Sequence, residues 1–194
     1  MAGFEIRKDP FQLRFHDRQL FALYDHFLTY FDLSKANEAF EMDPGLTVEP
    51  VNLDNVDDCE NESFWVERMK RYLQEQPDYV NGFIFRDTVT TKPVGFLWVM
   101  FPGGNEFQYK VRKVDAFLFD VYVSPESRGC GICGKMFQYM FAYLKLRGVV
   151  TVALGVRVKN KSAIRAYEKQ GGILKERRRF IQFFRRYNFP YYTV

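Results

Sequence analysis

The chain has 194 residues, enough for one domain with a substantial core and a short appendage. Hydrophobic residues make up 47% and aromatics 18%, with both charge signs interspersed, which excludes a disordered or fibrous chain. The formal charge of +4 is too small to argue by itself for a nucleic-acid or membrane partner, and no run is apolar enough to span a bilayer.

The opening MAGFEIRKDPFQLRF carries charges where a secretory signal needs an apolar run, so a cytoplasmic location is expected. From Asp17 to Phe31, Leu20, Leu23, Tyr24, Phe27, Leu28 and Phe31 fall at helical spacing behind an Asp suited to cap a helix. The polar stretch after it ends at Pro44-Gly45, a turn signal that divides a helical extension, residues 1–45, from a main domain, residues 46–194. The extension's helix has three candidate roles: covering the sheet, shaping a pocket, or joining two subunits as a homodimer. LTVEPV reads as a strand, and NVDDCENESFWVERMKRYLQEQ as one or two helices with Phe64, Met69, Tyr72 and Leu73 on the apolar side. YVNGFIFRD and KPVGFLWVMF form an antiparallel hairpin, GGNEFQYKVRK is a loop, and DAFLFDVYV is a strand. Met136, Phe137, Met140, Phe141 and Leu144 mark a helical face ending at Gly148. VVTVALGVRV is then a strand, NKSAIRAYEKQGG a short helix, and the alternating tail from Ile173 two further strands. A meander followed by a strand, helix, strand, helix run gives an α/β fold with a mixed sheet.

The most informative stretch is SRGCGICGK, residues 127–135, which admits four readings. As a redox C-x-x-C, Cys130 stands at a helix start, where a thiol is acidified, but the flanking glycines serve no redox purpose. The three cysteines make no disulfide framework, and zinc would have to recruit the distant Cys59, His16 and His26, so no metal is expected. As a P-loop, the stretch places Met136 where a Ser or Thr hydroxyl should hold magnesium. As a dinucleotide fingerprint, it lacks an acid about 20 residues on and does not follow a strand directly. What remains is an anion cradle: small residues uncover main-chain amides at a helix start, with Arg128 just before them.

VYVSPESRGCGICGKMFQYM together with LGVRVKNKSAIRAYEKQGG resembles the GNAT superfamily of acetyl-coenzyme A dependent N-acetyltransferases. The first stretch is similar to the superfamily's pyrophosphate loop. The second carries N-x-x-A-x-x-x-Y-x-x-x-G as Asn160, Ala163, Tyr167 and Gly171. The resemblance extends more weakly over residues 46–184. It implies a mixed, mostly antiparallel central sheet of about seven strands flanked by helices, to which the helical extension is added. It also implies that the strand Ala116–Val123 parts from the strand 149–158, with the cofactor's pantetheine arm lying in the gap against Val121, Tyr122 and Val123. Arg128, Gly129, Cys130, Gly131, Ile132, Cys133 and Gly134 would hold the pyrophosphate, and Asn160 and Ala163 the arm or its adenosine end. By the same resemblance Tyr167 is the proton donor to the leaving thiolate.

Asp120 is the leading base, because an acid inside FLFDVYV is costly unless paired or useful. A carboxylate held by a neighbouring basic or main-chain group is the competing account. Gly155 stands where some relatives carry a Glu base. The acids Asp54, Asp57, Asp58, Glu60 and Glu62 would suit a cationic acceptor, or lie at a helix start favoured by the dipole. KERRRFIQFFRR mixes cations with aromatics, yet alternation makes it a solvated strand face before it makes it a nucleic-acid surface. The expected activity is acetyl transfer to a primary amine of a small molecule or peptide. A module that holds acyl-coenzyme A without turnover is the alternative.

Overall fold

The structure is a computed structural model that describes residues 4–8, 11–15, 18–35, 41–59, 63–104, 114–183 and 187–193. His16, Asp17, Glu60, Glu62, the loop 105–113 and the side chains of Leu20, Leu23, Tyr24, Phe64 and residues 180–186 lie outside what is described.

β1 (Phe4–Lys8), β2 (Phe11–Phe15) and β3 (Arg18–Asp32) form an antiparallel meander. The turn at Pro44 and Gly45 leads into β4 (Leu46–Pro50), a 3-10 turn at Val56–Cys59, and α1 (Ser63–Glu75). The hairpin β5 (Val80–Asp87) and β6 (Pro93–Met100) follows, then β7 (Ala116–Val123), α2 (Ile132–Lys145), β8 (Thr151–Arg157) and α3 (Lys161–Lys169). β9 (Ile173–Phe183) and β10 (Tyr187–Thr193) close the chain as a hairpin. Central strands run in the order β4, β5, β6, β7, β8, β3, β9, and β7 against β8 is the parallel pair among otherwise antiparallel neighbours. The sheet is thus mixed and mostly antiparallel, as expected.

Helices cover both faces. α2 and α3 bury Met136, Phe137, Met140, Phe141, Leu144, Ile164 and Tyr167 against one face, and α1 lays Met69 and Tyr72 on Trp98 and Phe96 on the other. Each such side chain contributes about 1.5–3 kcal/mol when fully buried. α2 stops where its sequence predicts: Gly148 takes φ +73°, and the amides of Gly148 and Val149 return to the carbonyls of Lys145 and Leu144.

The segment expected to be a helix, Asp17 to Phe31, is instead the long strand β3. It inserts between β8 and β9, pairing Leu28 with Gly155 and Phe31 with Val152 on one side, and Leu23 with Ile181 on the other. The physical reason is burial on both faces. Phe27 and Phe31 pack towards α2 while Leu28 packs with Phe117 and Ala153 on the opposite face, so apolar residues lie on both faces and the period-2 signature is lost. The β-forming run Phe27-Leu-Thr-Tyr-Phe31 then fits a central strand better than a surface helix. Residues 18–32 are accordingly part of the same sheet as β4 to β9, not a helix laid on it.

Candidate active site

β7 and β8 pair only through Ala116 with Val152, Phe117 with Ala153 and Leu118 with Leu154; beyond these they part. The far edge of β8 stays covered, because Gly155, Val156 and Arg157 pair with Leu28, Phe27 and His26 of β3. His26 is buried there as a packing residue. At the parting, β7 carries a bulge. Opposite β6, Phe96 pairs with Tyr122 and Trp98 with Phe119, so Leu97 faces both Asp120 and Val121. Asp120 takes φ +46°, one of two non-glycine residues with positive φ among those described. Asp is among the few side chains that tolerate the left-handed region, at a cost of about 1–2 kcal/mol. As a result Phe119 and Asp120 both turn towards the α1 face, while Val121 and Val123 pack towards α2 and Tyr122 stacks on Phe96 at 5.0 Å.

Asp120 is held. Arg68 Nη2 of α1 donates to its Oδ2 at 2.7 Å, and both side chains are largely withdrawn from solvent. Burial raises the Asp120 pKa above the ordinary carboxylate value, and the Arg68 charge and hydrogen bond oppose it. Of the two accounts of Asp120, the carboxylate held by a neighbouring basic group is the one this contact displays. Tyr167 is buried on α3, its ring 5.4 Å from Phe137. Burial, with the nearby Cys133 and Asp120 charges adding to it, pushes its phenol well above the usual value, so it stays protonated at every working pH.

Between β7 and α2, a 3-10 turn at Pro125–Ser127 delivers the chain to the glycines. Gly129 (φ +82°) and Gly131 (φ +78°) are left-handed, Gly131 being the residue before α2, and a Cβ built on either meets nothing within 4 Å. Their freedom is needed for the turn, and the space in front of them is open. The first main-chain bond of the helix runs from the Lys135 amide to the Gly131 carbonyl, so the amides of Ile132, Cys133 and Gly134 precede any intrahelical partner. This is a cradle shaped for an anion. Gly134 serves a different end, since a Cβ there would stand 3.1 Å from the Gln170 side chain where α2 meets α3.

Several expected ligands have partners within the chain. Arg128 Nε donates to the Val123 carbonyl at 3.1 Å, and its guanidinium lies 5.9 Å from the Tyr122 ring centre. Asn160 caps α3: its Oδ1 accepts from the Ala163 amide at 3.2 Å and from Ser162 Oγ at 3.0 Å. Lys135, the would-be P-loop lysine, pairs with Asp43 at 2.5 Å. The acid cluster is partly neutralised: Asp57 pairs with Lys70, and Asp58 and Glu49 share Arg86. In the tail, Arg177 and Arg179 pair with Asp25 and so tie β9 to β3, while Arg178 pairs with Glu176 within β9.

Neither Cys133 nor Cys59 is an acidified thiol. Burial raises the Cys133 thiol to about 11 and the Cys59 thiol to about 12, while Cys130 is exposed at the turn. A disulfide-exchanging reagent at pH 8 is expected to modify Cys130 first, Cys133 slowly and Cys59 only on unfolding, as peptide mapping of the labelled protein would read.

Arg68 and the bulge were not foreseen. Arg68 could have been found, because it falls in the same helical stripe as Met69 and Tyr72, where a cation calls for a buried acid. The bulge has no signal in the sequence beyond the acid itself.

Comparison with known proteins bears on this arrangement. The model of the Acetyltransferase (GNAT) family matches residues 51–172. An uncharacterized N-acetyltransferase of Methanocaldococcus jannaschii is 32% identical over 117 residues, 58% of this chain and 47% of that protein, so the chain spans about half the length of the curated relative it matches. Among solved structures, a GCN5-related N-acetyltransferase from Sphaerobacter thermophilus aligns at TM-score 0.58 and 19% identity, covering 82% of this chain and 50% of that one. An aminoglycoside 6'-N-acetyltransferase from Acinetobacter baumannii aligns at 0.51 and 20% identity, covering 66% and 90%. These structural likenesses speak to the fold.

Proposed function

The chain belongs to the GNAT acetyltransferase family, and from that premise we propose that it moves an acetyl group from acetyl-coenzyme A directly to a primary amine of a small molecule or peptide. The observation that carries the proposal is the meeting of three features at one end of the sheet. These are the parted strands β7 and β8, the bulge at Asp120, and the open glycine turn at the start of α2. No helix among the described residues is long and apolar enough to cross a membrane.

The cradle fits the cofactor's diphosphate. Gly129 and Gly131 leave open space before the start of α2, and a side chain at either would fill it. Arg128 would supply a cation beside them, exchanging its contact with the Val123 carbonyl for a phosphate oxygen. Val121, Tyr122 and Val123 offer the unpaired edge of β7 to the pantetheine amides, and Asn160 and Ala163 shape the wall at the start of α3. When bound, the cofactor supplies a thioester, an acyl group already activated towards amines.

The rest falls to the chain's own groups. Asp120 accepts the amine's proton through the oxygen that Arg68 does not hold, directly or by one water. Its raised pKa brings it closer to the pH at which such a base works best. Tyr167, protonated in the resting site, gives its proton to the departing sulfur and recovers one from water before the next turnover. The bulge turns main-chain N–H groups out of the ladder, where they would polarise the carbonyl under attack.

Measuring coenzyme A release over a panel of primary amines tests the reading. Tight cofactor binding with no turnover on any amine would support a module that holds acyl-coenzyme A instead. The cradle has its own test in Gly131→Val, whose branched side chain would stand in the open space and resist φ +78°. The dissociation constant for coenzyme A, read by calorimetry, is expected to rise by about tenfold or more, an effect of about 1.4 kcal/mol.

A further inference from the structure

Arg68 occupies a place in α1 where a cation is expensive. It is 7% exposed, and it follows the same face of the helix as Met69 and Tyr72, which pack on the β6 and β7 side chains Trp98 and Phe119. A guanidinium so placed needs a partner of opposite charge. It finds one 52 residues away in Asp120, at 2.7 Å, and lies 5.6 Å from the Tyr72 ring centre. Asp120 is in turn the left-handed residue of the β7 bulge. Two separate features thus converge on one carboxylate: the distortion that turns β7 main chain into the gap, and the ion pair that ties this distortion to α1.

We infer that Arg68 is a positioning residue for acetyl transfer, which keeps Asp120 ionised and the β7 bulge seated through its ion pair and so sets the pH range over which the site works. The inference rests on the acetyltransferase reading and adds to it a residue from a helix outside the cofactor loop. Among the described residues, the titratable groups that face Asp120 are Arg68 from α1 and Tyr167 from α3, with Cys133 of α2 beside Tyr167. Tyr167 and Cys133 both remain neutral through the physiological range, so Arg68 is the cation that opposes the effect of burial on Asp120. Its loss leaves burial unopposed, and Asp120 then takes up its proton at a higher pH.

The test compares kcat/KM against pH for the wild type, Arg68→Gln and Arg68→Lys, with an amine that the wild type turns over and with coenzyme A affinity read by calorimetry. In Arg68→Gln the acid limb should move up by about one pH unit or more. Its kcat should fall by about tenfold or more, while coenzyme A affinity stays within about threefold, because the cradle is on another element. Arg68→Lys restores a charge without the planar fork, so its limb should lie between the other two with kcat several-fold below the wild type. An acid limb that does not move in Arg68→Gln overturns the role of Arg68 and leaves the acetyltransferase reading intact. Should Arg68→Gln fail to bind coenzyme A at all, Arg68→Lys decides: wild-type kcat and limb overturn the inference, and a displaced limb with lowered kcat supports it. A wild type that binds coenzyme A but acetylates no amine overturns both.

Discussion

Tyr167→Phe is expected to lower kcat by about 10²–10⁴-fold, the span that a positioned proton donor contributes. The substitution removes one oxygen from a residue that is otherwise core. The ring, 7% exposed and 5.4 Å from that of Phe137, keeps its packing, so neither the melting temperature nor coenzyme A affinity should shift appreciably. The hydroxyl is what matters. Burial and the neighbouring Asp120 and Cys133 hold its pKa far above neutrality, so the donor is loaded with its proton at all working pH values and contributes no alkaline limb of its own. The wild-type rate should therefore rise with pH as Asp120 and the amine lose protons, then level off. Steady-state coenzyme A release and single-turnover measurements on the variant would report the loss in the chemical step. A kcat within threefold of the wild type would reduce Tyr167 to a packing aromatic and leave the departing thiolate to water.

Why the glycine turn was legible in the sequence, and Arg68 was not, has a physical answer. A glycine turn at a helix start and an Asn cap are local devices, in which the residue types follow from the backbone they permit. SRGCGICGK could therefore be read as a left-handed turn opening a helix, and Asn160 as the residue before α3. The order of strands and helices from β4 to β10 was likewise carried by local periodicity and turn residues. Arg68 and Asp120 meet across 52 residues, and neither α1 nor β7 specifies the other. The acid in β7 advertised that a partner or a use existed, without saying which. The structure supplies the partner, and the bulge at φ +46° explains how the successive residues Phe119 and Asp120 can both face α1.

β3 was misread for the opposite reason: its local signal is strong and ambiguous. Apolar residues at 20, 23, 24, 27, 28 and 31 satisfy helical spacing, yet a strand buried on both faces also shows apolar residues at nearly every position. Only the neighbours settle the matter. β8 and β9 do not pair with each other; each pairs with β3, so without it both would present open edges beside the site. β3 is therefore a structural part of the sheet that holds the parted strands.

That dependence can be measured at Phe31. The ring is 3% exposed, with centroids 5.5 Å from Phe137 and 5.1 Å from Phe141 of α2, and its main chain pairs with Val152 of β8. It also fills the space that Gly172 leaves by lacking a side chain, since a Cβ there would come within 2.8 Å of Phe31 Cε1. Cutting Phe31 back to Ala removes buried area and leaves a cavity between β3, α2 and the turn after α3, at a cost of about 3–5 kcal/mol. In a chain of this size each kcal/mol lowers the melting temperature by about 2–4 °C, so Phe31→Ala should melt roughly 6–20 °C below the wild type. Activity at a temperature where the variant is still folded should fall as well, because Phe31 and Tyr167 pack on the same Phe137 ring and flank Gly172, although Asp120 faces α1. A melting temperature within 2 °C of the wild type would mean that β3 contributes little to the sheet, and that β8 holds its place at the site without it.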